Sequence, residues 1–441
     1  MFRLTAAFAV LAAVSPAAAQ SATVLSHTIW GTPGHEGTEG IAVGADGSTY
    51  LTGIHSLTAP PLKIFLVKLA ADRSIAWQTT WDGPDPFFDS RASDVAVSPD
   101  GTAVYVTGTA FINPNQGVLL KFNAADGSLI WQKSWGGSAF PEGVAVSADG
   151  SIYVGGSVRL NFDANLRASL TKFGPDGTVL WHRIWNTPTS GGETMGEDVA
   201  IDSIGDIYLV GGTPIPDPTD PTLILGFQIA LLKVDASGNL LWQRTVAEEE
   251  QLDARGGLGT APDGSVYIAG ARLPNRGSFD ALVVKFATDG ALEWARAWGG
   301  RGHDEANGVV VRADGAVFIS GTTNSFGDAD DVFFLHLQSS GRAEDAVTWG
   351  DPTTTDIADG IAVDPAGDAV IGATVQDPPY VFADAPRRTS RLRTAVGDPG
   401  FPLVPMDVAN VDAGGTLESI AGTTNDDPGG HFDAAVVVIR P

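Results

Sequence analysis

The sequence predicts an all-β fold: an eight-bladed β-propeller of four-stranded antiparallel blades, with a seven-bladed ring as the alternative. Two observations predict it. One phrase recurs about every fifty residues, and each repeat contains four β-rich runs separated by short turns. Dense Gly and Pro beside strand-like alternation exclude a helical repeat.

The recurring phrase is typified by GVAVSADGSIYVGG at 143–156. Its other copies begin at 40, 94, 198, 257, 308 and 360, with a degenerate eighth copy at 407–422. A second phrase follows in each unit, as in FDALVVKFATDGALEWARAWGG at 279–300. In the third unit we assign strands to Val144–Val146, Ile152–Gly155, Ser169–Phe173 and Val179–Trp185. The Asp-Gly and Ser-Gly pairs between the runs are typical of tight hairpin turns.

The two ends of the chain predict a closed ring. The last unit stops at 431–439, which matches the third run of the other units and has no fourth run after it. The N-terminal run at 22–30 has no partner in its own unit and ends in Trp30-Gly31, as fourth runs do. We therefore expect this N-terminal strand to complete the last blade.

Composition and the N-terminus predict an exported protein. Residues 1–19 resemble a signal peptide, with Arg3, an apolar core and an A-x-A cleavage site, so residues 20–441 should form a single propeller domain. The chain has no Cys and a net charge of -26. That charge argues against nucleic acid as a partner. We expect a monomer in the periplasm or outside the cell, without membrane insertion.

The phrases resemble the bacterial β-propeller repeat called the SBBP type, which carries a GIAVD-x-x-GNIYVTG-like phrase, then D-A-x-V-x-K and a tryptophan strand. The resemblance covers nearly the whole mature chain. It implies a propeller fold and an exported or surface location, and it implies no single activity.

DGSLIW at 126–131 and DGALEW at 289–294 are also similar to the quinone-binding repeat. That repeat builds dehydrogenases that use pyrroloquinoline quinone (PQQ), and also non-enzymatic envelope scaffolds. The cation and cofactor residues of those enzymes have no counterparts that we can locate here, and the Cys pair that some of them carry is impossible in a chain without Cys. We therefore do not expect PQQ, and no cofactor is assigned.

The aromatic residues are predicted to pack blades together. All eleven Trp lie on fourth strands, in several units as pairs four residues apart, which places both rings on one face of the strand. Five of the six Tyr recur on second strands, so few Trp or Tyr remain for a sugar or a quinone. The Asp of each Asp-Gly turn should accept local backbone hydrogen bonds, since one Asp per turn cannot supply the several oxygen ligands of a Ca²⁺ loop.

The main candidate for ligand binding is a set of polar residues just before the predicted first strand of most units, in the loop that enters this channel-lining strand. We name this set the acidic collar. Its members are Glu39, Asp94, Glu142, Glu197, Asp198, Asn307, Asp359 and Asp407. A ring of like charges favours a bound cation, and Ca²⁺ or a basic ligand at the channel mouth is the functional interpretation. The alternative is that each residue caps its own turn.

Departures from the repeat are the other pointers to function. The fifth unit has Gly256-Gly257 in place of the acid after AEEEQLDARG (247–256), and the fourth carries a Pro-rich insertion at 213–227. The seventh has Arg387, Arg388, Arg391 and Arg393, which we interpret as a solvated outer strand. His35-Glu36 and His303-Asp304 occupy equivalent positions that should not meet, and no catalytic or zinc motif occurs.

We therefore predict an exported binding or scaffold protein that recognises a protein or glycan on its loop-bearing face. The rival class is an enzyme that uses the same face, either a quinone-dependent dehydrogenase or a polysaccharide hydrolase or lyase. No catalytic residue is assigned.

Overall fold

The repeats fold into seven antiparallel sheets, the blades of a β-propeller. This is a computed structural model. It describes residues 22–31, 34–56, 61–160, 165–185, 193–217, 219–220, 223–247, 251–253, 256–273, 277–327, 329–350, 354–376, 381–384, 389–390, 395–397, 403–405, 417–418, 423–424 and 432–441. Across these residues there is no helix with the length and apolar composition needed to span a bilayer.

After the N-terminal strand, blades 1 to 4 follow in chain order, and four strands form each blade. The strands are β1 (Thr23–Gly31); β2 (His35–Val43), β3 (Thr49–Ser56), β4 (Lys63–Leu69) and β5 (Ile75–Trp81); β6 (Ser90–Val97), β7 (Ala103–Ala110), β8 (Gln116–Asn123) and β9 (Leu129–Trp135); β10 (Ala139–Val146), β11 (Ile152–Arg159), β12 (Leu166–Phe173) and β13 (Val179–Trp185); β14 (Met195–Ile201), β15 (Ile207–Pro216), β16 (Ile224–Val234) and β17 (Leu240–Ala247).

Blades 5 and 6 follow, and blade 7 joins both ends of the chain. The first strand of blade 5 is broken into two pieces. The strands are β18 (Gln251–Asp253), β19 (Leu258–Thr260), β20 (Val266–Leu273), β21 (Asp280–Phe286) and β22 (Leu292–Trp298); β23 (Asp304–Val311), β24 (Val317–Thr323), β25 (Asp331–Leu337) and β26 (Ala343–Gly350); then β27 (Ile357–Val363) and β28 (Ala369–Gln376).

Six short strands lie between β28 and the last strand, β35 (Phe432–Arg440). They are β29 (Val381–Asp384), β30 (Thr389–Ser390), β31 (Ala395–Gly397), β32 (Leu403–Pro405), β33 (Leu417–Glu418) and β34 (Thr423–Thr424). Each pairs with the outermost strand of one blade: β26, β22, β17, β13, β5 and β1 respectively. This segment therefore follows the outer edge of the ring.

The predicted closure is confirmed, because β1 is the fourth strand of blade 7. It pairs antiparallel with β35, and Trp30 lies opposite Ala434. The C-terminal strand lies between β28 and β1, so both ends of the chain share one sheet.

The main prediction of eight blades is wrong, and the alternative of seven blades is confirmed. β35 is the third run of the eighth sequence unit, yet it pairs with β28, the second strand of the seventh unit. Two sequence units therefore contribute to one blade. Asp407, the collar residue predicted for the eighth unit, lies outside the described residues.

Within a blade, an aromatic ring, a lysine and a tryptophan pack side by side on three neighbouring strands. Lys68 on β4 lies opposite both Tyr50 on β3 and Trp77 on β5. The two rings are 6.0 Å apart between centroids, and Lys68 Nζ lies 5.3 Å from the Tyr50 ring. The same trio recurs as Tyr105–Lys121–Trp131, Tyr153–Lys172–Trp181, Tyr208–Lys233–Trp242 and Tyr267–Lys285–Trp294.

Each trio binds the turn between the third and fourth strands of the next blade. Trp77 Nε1 and Lys68 Nζ both donate to the Ala124 carbonyl of blade 2, at 3.2 and 2.9 Å. Gly127 of that turn lies against the Trp77 ring and has a φ of 73°. Trp181, Trp242 and Trp294 bond the next blade in the same way. The predicted role of Trp between blades is confirmed.

The Asp residues of the turns form local hydrogen bonds, as predicted. Asp126 Oδ1 accepts from the Ser128 backbone N–H and hydroxyl, at 2.9 and 2.6 Å. These bonds lower the pKa of Asp126. In each regular blade, one turn joins the first and second strands and another joins the third and fourth. Because the strands are antiparallel, both turns lie at the same end of the blade, and together they form one face of the ring, the turn face. The other connections share the opposite face, the loop face.

Two glycines test how much the docking of a turn on Trp77 contributes to stability. Gly101 and Gly127 both have positive φ, but a Cβ on Gly101 would meet no atom within 4 Å, whereas one on Gly127 would lie 2.6 Å from the Trp77 ring. We expect Gly101→Ala to lower the free energy of unfolding by about 1 kcal/mol and Gly127→Ala by about 3 kcal/mol. Urea unfolding measures both, and equal losses would contradict the docking role.

Candidate functional site

Seven predicted collar residues converge on one cavity in the central channel. The cavity has a volume of about 210 Å³, and all seven blades contribute to its wall. The collar residues in the wall are Glu39, Asp94, Glu142, Glu197, Asp198, Asn307 and Asp359. They comprise six carboxyl groups and one amide.

A β-bulge in the first strand of most blades produces this convergence. In blade 1 the pairing with the second strand shifts between Thr38 and Gly40, so Glu39 is the extra residue. The equivalent bulge residues in the other blades are Ser93, Glu142, Glu197, Asn307 and Asp359. A bulge residue has no partner opposite it on the next strand and can point in a new direction. Here that direction is the channel.

The position predicted for the collar needs a correction. We expected these residues in the loop that enters the first strand, at the mouth of the channel. Instead the first strand starts earlier than predicted, at His35 in blade 1 and Ala139 in blade 3, so the collar lies partway down the channel. The polar residues before the apolar phrase continue the strand because its second strand is also longer and pairs with them.

Asp94 and Asp198 follow the bulge and link neighbouring blades. Asp94 accepts from the Val95 N–H in its own strand and from the Val144 N–H in blade 3, at 2.7 and 2.8 Å. Asp198 accepts from Val199 in its own strand and from Leu258 in blade 5, at 2.6 and 2.7 Å. Both residues lie within a strand, so each side chain bonds its own strand and the first strand of a neighbouring blade and does not cap a turn.

Burial raises the pKa of both of these carboxyl groups. The pKa of Asp94 rises to about 8, from burial first and then from repulsion by Asp198. The pKa of Asp198 rises to about 6 because of burial, although its backbone hydrogen bonds oppose the change.

Two glutamates in the channel, Glu39 and Glu142, also have raised pKa values. Burial raises the pKa of Glu39 to about 7, and the positive charge of Arg91 opposes this rise. Burial, with repulsion from Glu197 and Glu39, raises the pKa of Glu142 to about 8. A group with such a pKa releases its proton when a cation arrives nearby, because the cation favours the charged form.

Two further collar residues, Asn307 and Asp359, are hydrogen-bonded to threonines of the second strand. Asp359 Oδ2 accepts from the Thr374 hydroxyl at 2.9 Å, and Asn307 Oδ1 accepts from the Thr322 hydroxyl at 3.2 Å. Burial and the charge of Glu39 hold the pKa of Asp359 well above its usual range.

The geometry gives no support to tight chelation of Ca²⁺. Among the residues that the structure describes, no three His, Asp or Glu side chains are placed to hold one metal ion. Ca²⁺ needs six to eight oxygen ligands at 2.3–2.6 Å. The carboxyl groups instead surround the cavity from several blades.

Sequence reasoning missed part of the cavity wall. Ser93 occupies the bulge of blade 2. Its side chain hydrogen-bonds Glu142, and this bond opposes the rise in the pKa of Glu142. Four aliphatic side chains also line the cavity: Ile41, Leu258, Val309 and Ile361. Alignment of the repeats would have found Ser93 as the counterpart of Glu39. Ile41, Val309 and Ile361 follow the bulge by two positions. From the sequence we assigned these aliphatic residues no role.

The departures from the repeat have structural explanations where they are described. Gly256 lies at the break between β18 and β19, where a Cβ would lie 1.8 Å from the Ala306 carbonyl oxygen. The insertion at 213–227 lengthens the β15–β16 hairpin, with Pro214 opposite Phe227. The four arginines at 387, 388, 391 and 393 lie outside the described residues.

The two equivalent His-acid pairs have different contacts. Glu36 is buried and lies 2.6 Å from His55 Nδ1, on the neighbouring strand of blade 1. Asp304, in blade 6, is buried and accepts from the Thr323 and Ser325 hydroxyls. Both carboxyl groups therefore anchor the start of a first strand within their own blades.

Comparison with known proteins supports the propeller fold. Residues 261–293 match a family model described as a domain of unknown function (DUF5122) beta-propeller. The matched stretch runs from the end of β19 through β20 and β21 into β22. The match is confined to blade 5.

Two solved structures and one curated relative extend the comparison. The regulatory protein FlaEY of Caulobacter vibrioides is 28% identical over 165 residues, which cover 34% of this chain and 16% of FlaEY. A polysaccharide lyase of family PL25, an ulvan lyase, superposes with a TM-score of 0.51 at 10% identity over 82% of this chain and 98% of the lyase. A protein of unknown function from Dyadobacter fermentans gives a TM-score of 0.48 at 9% identity over 95% and 99%. The likeness to the lyase shows a shared fold alone.

The raised pKa values predict how stability depends on pH. The folded state binds protons at Glu39 and Glu142 more tightly than the unfolded state, whose Glu pKa is near 4.5. Their stabilising contribution is therefore complete below pH 4.5 and is lost as pH rises through 7 to 8. We expect the protein carrying Glu39→Gln and Glu142→Gln to lose less stability between pH 5 and 8, by on the order of 2 kcal/mol.

Asp176→Asn is the matched control, because hydrogen bonds to Thr178 lower the pKa of that exposed carboxyl and keep it ionised over this range. Urea unfolding at pH 5 and pH 8 measures all three proteins. Every variant keeps His182, and burial lowers the pKa of this residue to about 4. Any pH dependence that His182 contributes is therefore the same in all three proteins. Identical pH profiles for the double variant and the unmodified protein would contradict the prediction.

Proposed function

We propose that this protein is an exported binding protein whose central channel receives a cationic group from a ligand or partner. The observation that carries the proposal is the cavity itself, in which six carboxyl groups from five blades surround an aliphatic surface. Export remains a prediction from the N-terminal sequence, because residues 1–21 are outside the described residues.

The carboxyl groups favour a positive ligand. Glu39 and Glu142 have raised pKa values because their charged forms are poorly solvated and repel neighbouring acids. A cation in the cavity relieves both effects. Binding should therefore release protons at pH 7 and become tighter as pH rises from 6 to 8.

The aliphatic part of the wall favours an organic cation over a bare metal ion. Ile41, Leu258, Val309 and Ile361 offer no ligand atoms to a metal. They can cover the methylene groups of an alkylammonium ion, such as a lysine side chain or a diamine. The absence of a three-ligand cluster among the described residues agrees with this choice.

The loop face is the side from which we expect the ligand to enter. The regular Asp-Gly turns occupy the turn face, whereas the longer and less regular connections lie on the loop face. Irregular loops on a rigid scaffold are where binding residues usually occur. The partner can be a protein or a glycan that carries an amino group.

Calorimetry with 1,5-diaminopentane tests the proposal. We expect binding with proton release at pH 7, detected as a dependence of the observed heat on the ionisation enthalpy of the buffer. The triple variant Glu39→Gln, Glu142→Gln, Asp359→Asn should weaken binding at least about tenfold, whereas Asp176→Asn on the turn face should not. CaCl₂ serves as the metal comparison. No diamine binding by the unmodified protein at millimolar concentration, or binding unaffected by the triple variant, would contradict it.

The same carboxyl groups support a second candidate function, hydrolysis of a glycan. Glycoside hydrolysis uses one carboxyl group that is protonated near pH 7 and one that is ionised. Glu142, with a pKa of about 8, is the candidate acid, and Asp198, with a pKa of about 6, is the candidate ionised group. Release of reducing ends from a panel of polysaccharides tests this candidate. It requires activity that Glu142→Gln abolishes and Asp176→Asn leaves intact.

A further inference from the structure

The loop between β5 and β6 exposes two adjacent aromatic side chains on the loop face. Phe87 is 86% exposed and Phe88 is 46% exposed. Single exposed apolar residues are ordinary, but adjacent exposed aromatic rings on a face that also bears a cavity are typical of a contact surface.

Hydrogen bonds hold this loop in place from both sides. The Phe88 N–H donates to the Asp85 carbonyl, and the Ser90 N–H donates to the Leu62 carbonyl, at 3.2 and 2.8 Å. Asp89 accepts from the Leu62 N–H at 2.8 Å through its side chain. Its carbonyl accepts from the Phe111 N–H at 2.8 Å. The two aromatic rings are therefore carried by a fixed segment.

Arg91, three residues after Phe88 in the chain, lies close enough to the channel to act on a collar residue. The Arg91 guanidinium stacks over the Phe111 ring at 5.5 Å. Burial raises the pKa of Glu39 in the cavity, and the Arg91 charge opposes that rise. Phe88 and Asp94 are six residues apart along the chain, which limits their separation to about 20 Å. One extended peptide segment of moderate length can therefore contact both.

We propose that the channel and the pair Phe87-Phe88 form one interface for a segment of a partner protein, with a lysine in the channel and apolar residues on the two rings. This inference rests on the proposed function and specifies its partner. Charge supports it, since a lysine complements the six carboxyl groups of the cavity. A second copy of this chain would carry the same net charge of -26 and would be repelled.

Labelled peptides provide the test. The first probe is an acetylated, amidated hexapeptide with one Lys flanked by Leu and Phe, and the second has Ser at the flanking positions. We expect the unmodified protein to bind the apolar peptide at least about tenfold more tightly, as burial of one phenylalanine ring would produce. Phe87→Ser with Phe88→Ser should remove that preference and leave the affinity for 1,5-diaminopentane unchanged.

Ile204→Ser is the matched control, because Ile204 is 77% exposed in a turn-face hairpin. It should keep the peptide preference. The inference is overturned if the unmodified protein shows no preference, if the double Phe variant keeps it, or if sedimentation shows that the Phe pair instead mediates self-association. Diamine binding that persists in those cases leaves the proposed function standing, whereas loss of diamine and peptide binding together rejects both.

Discussion

The interaction on which the rest of the structure depends is the docking of a turn on the tryptophan and lysine of the preceding blade. At the first junction, Trp77 and Lys68 donate to one carbonyl of blade 2, and Gly127 brings the turn against the indole ring. Blades 1 to 5 each carry the tryptophan and lysine, and the turn that packs on them comes from the next blade along the chain. The repetition of this junction holds the first strands at a fixed spacing around the channel, and the collar depends on that spacing.

The junction between blades 7 and 1 uses different contacts. Blade 7 has no turn between its third and fourth strands, because those strands are the two ends of the chain. The turn of blade 1 docks on blade 7, whose fourth strand carries Trp30 but has Ser26 at the position that corresponds to Trp77. Arg73 replaces glycine there with a φ of 68° and reaches Asp364 at 3.4 Å. This ion pair between blades 1 and 7 stands where aromatic docking is missing, and Arg440 pairs with Asp368 at 2.8 Å within blade 7.

Sequence reasoning predicted the local parts of this fold and failed where pairing is remote. The tryptophans, the turn glycines and the closing strand at 22–30 were predicted because each repeats or lacks a partner within its own unit. The number of blades was not predicted correctly. The phrase at 407–422 resembles the start of a separate blade, but β35 pairs with β28 of the preceding unit. Members of the collar were predicted from their periodicity. The bulge was not, because a single extra residue in a strand leaves no distinct pattern in the sequence.

The bulge also explains why the chemistry of the channel can vary while the ring stays intact. A bulge residue has no partner in the strand ladder, so Glu39, Ser93 and Asn307 can occupy equivalent positions without altering the pairing on either side. The next position is more constrained, because a Cβ on Gly143 would lie 2.4 Å from an Asp198 oxygen. The position after the bulge is Gly in some blades. In two others it is an Asp that accepts a hydrogen bond from a neighbouring blade. Selection on ligand binding can therefore act at the bulge, while selection on stability acts one residue later.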